Sequence, residues 1–415
     1  MSTLASRSQS ERGGRLLALA LISYFFVFFH RASLSTLGQL LKTDFHLNNT
    51  ELGWLGSVYF YIYAMMQLPT GIWADRRGIQ YPLIGGTTLA AVGTLLFAHS
   101  TTFFDALLAR SLLSLGLSVI LMSCIRLISL IYPPEKFSTF SGLVVGIGSL
   151  GAICSGLPLQ MLLMHYSWQF IHLFMGGFSL VLAIAIAYCY QKDASYFTLP
   201  SSGTTSWQSQ LKRVVFNPQT HFAFGVNFFI GATTFGFAGL WGVRFLTQVV
   251  HASPQQATLA SSLFFLGFSL GSFGLGAFSS KIKRRKLPLF LSATGSFCFT
   301  CLLAFGPLLS ILLYDVIYIF LGFFGSAFTL AWASSKENNA PEVAAMAASA
   351  ANIGGFFGPA LLQPLLGWLL DHYGNGMNHP FQPVFIAMLC AHVLSLACIA
   401  GIRETYCQNQ TVSTL

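Results

Sequence analysis

Twelve apolar runs, each about the length needed to cross a lipid bilayer, leave this chain few ways to fold. They occupy residues 16–41, 52–73, 82–98, 104–131, 137–164, 168–190, 222–249, 258–278, 287–307, 309–334, 343–370 and 384–402. A hydrocarbon core of ~30 Å takes about 20 helical residues at 1.5 Å each. Inside lipid every backbone N–H and C=O must be paired within the segment, so runs of this length become helices. The expected architecture is therefore all-α and integral to the membrane, with both ends of the chain on one face. Charged residues make up only 8% of the 415, against the ~25% of an average soluble domain. No run encodes a soluble catalytic domain.

The formal net charge of +9 invites a nucleic-acid reading, but the basic residues sort by face. Arg7, Arg12, Arg15, Arg76, Arg77, Lys136, Lys192, Lys212, Arg213, Lys281, Lys283, Arg284, Arg285, Lys286, Lys336 and Arg403 share the face of the N-terminus, and only Lys42 falls in a loop on the other. This is the positive-inside bias, and it predicts cytoplasmic termini at both ends, with a bacterial inner membrane as the setting. No nucleic-acid partner is expected. Arg31, Arg110, Arg126 and Arg244 are left within the spans.

The eight cysteines lie in apolar runs or the final segment. Cys298 and Cys301 have metal-ligand spacing but neither a second pair nor a nearby histidine, so they read as packed thiols, and neither metal nor cofactor is expected. The first run lacks a small-residue cleavage site and is read as a retained helix rather than a signal peptide.

One charged elbow occurs twice. Gly71-x-x-x-Asp75-Arg76-Arg77-Gly78 separates runs two and three, and Gly276 with the basic cluster Lys281 to Lys286 separates runs eight and nine, 205 positions later. At an offset of 207, Pro134-Glu135 matches Pro341-Glu342, Gly148 matches Gly355, Gly151 matches Gly358, and His165-Tyr166 matches His372-Tyr373. Proline in the first turn and glutamate at the positive end of the helix dipole start both helices alike. The expected layout is a tail at 1–14, a six-helix half at 15–190, a polar linker at 191–220, a second six-helix half at 221–403 and a tail at 404–415. The linker contains a candidate interfacial helix, Trp207–Val215.

Six plus six spans, a central polar loop, and Gly71-x-x-x-Asp75-Arg76-x-Gly78 between spans two and three resemble the major facilitator superfamily over residues 15–403. Span four adds Arg110-x-x-x-Ser114-x-Gly116, similar to the family's Arg-x-x-x-Gly-x-Gly pattern with serine at the first glycine. The chain departs from the pattern at Gln80, where a basic residue usually ends the loop motif, and at Ser280, which replaces the aspartate in the second copy. Its glycine-rich fifth span lacks the Gly-Pro-x-x-Gly-Gly signature of many drug/proton antiporters. Phe29-His30-Arg31-x-Ser33-x-Ser35 resembles the first-helix arginine region of the organic-anion and organophosphate branches. The resemblance implies two pseudo-symmetric six-helix bundles that rock around a site at mid-membrane.

Within that frame the polar residues of the spans are the candidates. Arg31 lies ~24 Å along its helix from Arg15, a few ångströms beyond mid-membrane, where a charge costs ~2.5–3.5 kcal/mol. Tyr24, Phe28, Arg31 and Ser35 share a helical face, on which the guanidinium can meet a substrate carboxylate or phosphate; the alternative is a structural arginine bonded to carbonyls and a tyrosine. Asn227, Thr234, Trp241 and Arg244 follow one another at helical spacing on span seven, with Arg244 near the outer end as a snorkelling or gate residue. Tyr59, Tyr63, Asn352 and Gln363 are further substrate-binding candidates, with packing as the alternative.

For gating, Asp75 can accept hydrogen bonds from the start of span eleven in one state of the cycle. Gly71 permits close approach, Arg76, Gly78 and Gly276 belong to the two elbows, and Arg126 lies near the same face; the alternative is a solvated charge that only orients the chain. Asp315, the main acid within a span, is the first candidate for proton exchange, with Arg110 and His30 beside it. A static bridge is the alternative.

With no nucleotide loop or metal cluster, the expected function is a secondary active transporter and not an enzyme. Its expected substrate is a small anionic or zwitterionic metabolite, moved by proton coupling or by exchange, with a monomer sufficient. Efflux of drugs or siderophore-like compounds is the alternative within that class, and a transporter-shaped sensor the alternative outside it.

Overall fold

The computed structural model describes residues 2–77, 79–132, 134–193, 207–373 and 379–410, without the side chains of 2–12, 68, 71–77, 134–139, 141, 192–193, 207–208 and 210. Among these residues every regular element is helical. The N-terminal half holds α1 (Ser2–Ala32), α2 (Leu34–Asp44), α3 (Asn49–Arg77), α4 (Gln80–Ala98), α5 (Phe103–Leu117), α6 (Ile120–Ile131), α7 (Pro134–Cys154), α8 (Leu157–Leu163) and α9 (Trp168–Asp193). After α10 (Trp207–Val215) come α11 (Pro218–Gly236), a π-helical turn (Phe237–Trp241), α12 (Gly242–Gln248), α13 (Pro254–Ile282), α14 (Lys286–Phe305), α15 (Ile311–Gly325), α16 (Phe328–Glu337), a 3₁₀ turn (Pro341–Val343), α17 (Ala344–Tyr373) and α18 (Gln382–Gly401).

Among the described residues ten helical stretches are long and apolar enough to cross a membrane, and the bent pair of α7 and α8 makes an eleventh if it is one span. With the 29-residue α3, the pattern is consistent with the twelve spans expected.

The breaks inside spans are themselves repeated. Span one breaks at Ser33, and the position 207 residues later falls in the π turn of span seven. Span four breaks after Leu117 and span ten after Gly325. A break frees backbone groups that lipid cannot satisfy, and here protein satisfies them. Where α7 meets α8 at a bend of 41°, Ser262 Oγ of α13 accepts from Leu157 N (2.9 Å) and donates to Ile153 O (2.8 Å). Thr36 Oγ1 covers Ser155 O at 2.7 Å. Around the π turn, Gln363 Nε2 donates to Phe235 O at 3.1 Å, and the Tyr318 hydroxyl donates to Gly242 O at 2.8 Å.

Of the glycine pairs matched by the repeat, Gly151 and Gly358 do equivalent work, whereas a Cβ at Gly148 would strike Tyr24 and one at Gly355 would meet only ordinary contacts. A side chain at Gly151 would strike the backbone of α1 at Phe25, and one at Gly358 would strike the backbone of α11 at Phe228. Bare glycine lets α7 lie on α1, and α17 on α11, at backbone contact.

On the face of the second elbow, α13 ends in a left-handed Lys283 (φ 53°). Glu337 accepts from Arg285 Nη2 at 2.6 Å, while Glu404 accepts from the backbone N–H groups of Arg285 and Lys286. The Glu337 carboxylate holds the Arg285 proton more tightly than in a free arginine.

Candidate functional site: a central cavity around Arg31

Eight spans converge on a cavity of about 300 Å³. Arg31 and Tyr24 reach it from α1, Tyr63 from α3, Thr234 and Phe235 from α11, and Asn352 and Phe356 from α17. Met122 and Ile125 of α6, Ser272 of α13 and Trp332 of α16 extend its wall toward the Arg15 face.

The helical face predicted for α1 explains the placing of Arg31, since Tyr24, Phe28 and Arg31 all line the cavity. Arg31 is 5% exposed, and its Cζ sits 4.5 Å from the ring centre of Phe28, 4.9 Å from Tyr63 and 4.9 Å from Phe356. The rings of Tyr59 and Phe235 stand at 5.8 and 5.7 Å. Faces of aromatic rings attract a cation and exclude water, yet they do not neutralise it. Among the described residues no carboxylate pairs with Arg31, and its Nε has no hydrogen-bond partner. Trp332 Nε1, also on the wall, is a second buried donor without a partner. The cavity therefore offers one fixed positive charge, whose guanidinium donates to the Tyr59 and Tyr63 hydroxyls but keeps its Nε–H free, an unpartnered indole N–H, and flat apolar walls.

The other sequence candidates stand elsewhere. Tyr59 lies behind the cavity, its hydroxyl donating to Val27 O at 2.8 Å. Asn227 Nδ2 donates to Ala351 O (3.0 Å), and Trp241 Nε1 donates to Gln363 O (3.2 Å); both join span seven to α17. Asn352, at the cavity edge, donates to Gln67 Oε1 of the opposite half at 3.0 Å. Arg110 is not in the cavity: its Nε donates to Leu55 O (2.9 Å), while Ser114 Oγ donates to Tyr59 O (2.6 Å). That pair stitches α5 to α3 one turn apart, which gives the serine in the span-four motif a structural use. Asp315 Oδ1 is buried without a partner on α15, and His30 packs 5.9 Å from His172; neither lines the cavity.

The face bearing Lys42 is closed by polar and backbone contacts between the halves. Asp371 of α17 accepts from Asn49 N, Thr50 N and Thr50 Oγ1 at 3.1, 2.8 and 2.7 Å, capping α3 from the opposite half. Asn49 Oδ1 accepts from both Arg244 Nη1 and Lys42 Nζ at 2.7 Å. A Cβ at Gly53 would meet Gln363 O and Pro364 Cα at 2.6 Å, so glycine there allows backbone-to-backbone contact.

On the opposite face, Gly71, Asp75 and Arg76 stand in the last turns of α3 with their side chains outside the described residues, and Gly78 lies outside them altogether. Arg126 is half-buried with its Nε unpartnered, and a side chain added at Gly276 would meet open space. Gly276 is thus not a point of close helix contact in this arrangement.

Sequence reasoning missed Phe235, Phe356, Ser272 and Trp332. Periodicity carries no signal for them, because an aromatic facing a cavity and one facing lipid look alike in an apolar helix.

The sequence profile described as Major Facilitator Superfamily matches residues 20–241 and 223–406. The chain belongs to that superfamily. Among curated relatives, this superfamily member is 24% identical over 175 residues to an uncharacterized transporter, YybO, of Bacillus subtilis (strain 168), covering 42% of this chain and 40% of that one. It is 31% identical over 122 residues to the methyl viologen resistance protein SmvA of Salmonella typhimurium (strain LT2), covering 29% and 25%. It is also 29% identical over 168 residues to a gentisate transporter of Corynebacterium glutamicum, covering 39% and 37%. The aligned stretches thus span less than half of these relatives. Solved structures share the fold throughout. A bacterial homolog of the human lysosomal transporter Spinster, in an inward-facing and unoccupied conformation, superposes with TM-score 0.71 at 15% identity over 94% of this chain and 95% of that one. The nucleoside transporter NupG gives 0.73 at 18% identity, over 94% and 100%. This superfamily member is a multi-pass integral membrane protein.

Proposed function

We propose that the chain moves a small anionic or zwitterionic metabolite by alternating access, with the Arg31 guanidinium as the group that holds the substrate's negative charge. The observation that carries this reading is the charge of Arg31 itself: buried in the cavity wall, ringed by aromatic faces and without a carboxylate partner. Removing one partner of a buried charge pair is strongly unfavourable, so a site holding only the cation favours the ligand that supplies the anion. The flat walls suit an aromatic or short aliphatic body beyond the charged group.

The arrangement corresponds to an inward-open state if the Arg15 face is cytoplasmic, as the basic residues suggest. Described hydrogen bonds between the halves lie at the Lys42 end or at the level of Asn352. Two relatives are named for anionic substrates, gentisate and sulfoacetate, which agrees with the charge argument. Efflux is the second reading: relatives are named for resistance to methyl viologen and lincomycin, and the aromatic walls would accept such compounds. Arg31 opposes a cationic cargo. Coupling to a proton through Asp315, His30 or Arg110, or exchange of two anions, completes the cycle.

Thermal shift of the purified protein against metabolites grouped by charge tests this directly, since a ligand stabilises the state it binds in proportion to occupancy. Stabilisation by carboxylates or phosphates, lost in Arg31→Ala, is expected. Stabilisation by cationic or neutral apolar compounds alone would replace the reading with efflux.

A further inference from the structure

A second, much smaller chamber of about 10 Å³ lies inside the C-terminal half. Its polar wall is His392 of α18, Ser296 of α14, and Thr233 and Thr234 of α11; Phe237, Phe264, Leu321 and Met388 complete it. His392 is 2% exposed, with Nε2 3.2 Å from Thr300 Oγ1 and Nδ1 without a partner. Thr234 lines this chamber and the central cavity alike. Phe237 opens the π turn, and such irregular turns are frequent where a helix carries function.

The volume is at the lower limit for a single water, which needs ~10–15 Å³ and two to four polar partners; the hydroxyls and the free ring nitrogen supply them. In the tautomer whose Nε2–H donates to Thr300, Nδ1 carries a lone pair with no partner. We propose that His392 is a proton-binding site of the transport cycle, loaded from the central cavity past Thr234. The transfer is simple: an O–H bond of hydronium in the cavity breaks, a chain of hydroxyl and water passes the proton, and an N–H bond forms at Nδ1. No described acid, lysine or arginine lines the chamber from α11, α13, α14, α15 or α18. A proton on the ring therefore places an unpaired charge among phenylalanines, leucine and methionine, which disfavours this arrangement against one that hydrates the ring. Acid should thus loosen the Lys42 end. That link rests on the alternating-access reading above, whereas proton binding itself does not.

The test uses the full chain in lipid nanodiscs with ¹⁵N-histidine, titrated from about pH 8 to about pH 4.5, with His392→Gln identifying the ring signals. Amide hydrogen exchange at Asn49 and Thr50, corrected for its intrinsic pH dependence, reports opening of the Lys42 end, because Asp371 bonds those two N–H groups. One proton can change the ratio of states by at most about tenfold per pH unit. The ring signal should move with pH, and protection should fall about tenfold over two units in the native protein but under about twofold in His392→Gln. A ring that stays unchanged throughout overturns the site. An equal fall in both proteins overturns the link, assigning it to another group such as His30 or His172. A ring that titrates while protection never changes, with pH or with added carboxylates, upholds proton binding and refutes alternating access.

Discussion

Described contacts between the halves shut the Lys42 end of the central cavity and not the Arg15 end, although the sequence repeat makes their helices equivalent. At the Lys42 end, α3 and α17 touch through bare glycine backbone, and Asp371 caps the start of α3. At the Arg15 end, the cavity wall runs out along Met122, Ile125 and Trp332, and the strongest described contact, Arg285 with Glu337, lies within one half. Asp371 at the end of span eleven caps span two, which is the arrangement the sequence suggested in mirror image, Asp75 at the end of span two capping span eleven. The Asp371 cap is fastened in this arrangement, while the Asp75 side chain lies outside the described residues.

The largest expected effect tests the cavity between the ends. Arg31→Ala should remove about 2–5 kcal/mol of anion binding, at least ~30-fold in affinity by titration calorimetry. Arg31→Lys should recover little if the planar fork is what the substrate meets; wild-type affinity in the alanine variant would sink the role. Next comes the glycine contact: Gly53→Val forces α3 from the backbone of Gln363 and Pro364, an overpacking of about 1–3 kcal/mol. It should raise thiol labelling of a cysteine placed at position 50 by roughly 5- to 150-fold, and unchanged labelling would mean that the end is held by something else.

Two lesions of similar size at opposite ends then separate latch from scaffold. Asp371→Ala removes a cap worth about 0.5–2 kcal/mol and should open the Lys42 end with little change in thermal stability. Glu337→Gln weakens a charge-assisted pair by about 1–2 kcal/mol and should lower the melting temperature without changing labelling at position 50. The reverse pattern would exchange their roles. The smallest effect concerns Lys42, held below the ordinary lysine value first by burial and then by Arg244, with Asp371 opposing. The closed end binds that proton less tightly than an open one, so closure should strengthen as pH rises through the lowered value toward about 10.4. Lys42→Met should flatten the slope of labelling between about pH 8 and 10.5.

Much of this was written in the sequence. Arg31 could be singled out because a charge costs so much at mid-membrane that its position alone demands an explanation. Arg244 was expected near one end, and its partner Asn49 lies 195 residues away and leaves no local trace. Asn227 and Trp241 share helical spacing with Thr234, yet they bond backbone carbonyls of α17 away from the cavity, while Thr234 bonds Gly325 O and lines the cavity. Periodicity ranks residues by face, and neighbouring helices decide which face meets space.

By itself the sequence determined the number of spans, the six-plus-six repeat and the sorting of basic residues, because lipid imposes helix length and backbone satisfaction on each segment separately. Tertiary structure alone decided which end is shut, which aromatics wall the cavity, and that His392 shares a threonine with it. Those outcomes depend on contacts between residues from about 90 to more than 300 positions apart, such as Thr234 with Gly325 and Asn49 with Asp371, and no local pattern encodes a distance across the bundle.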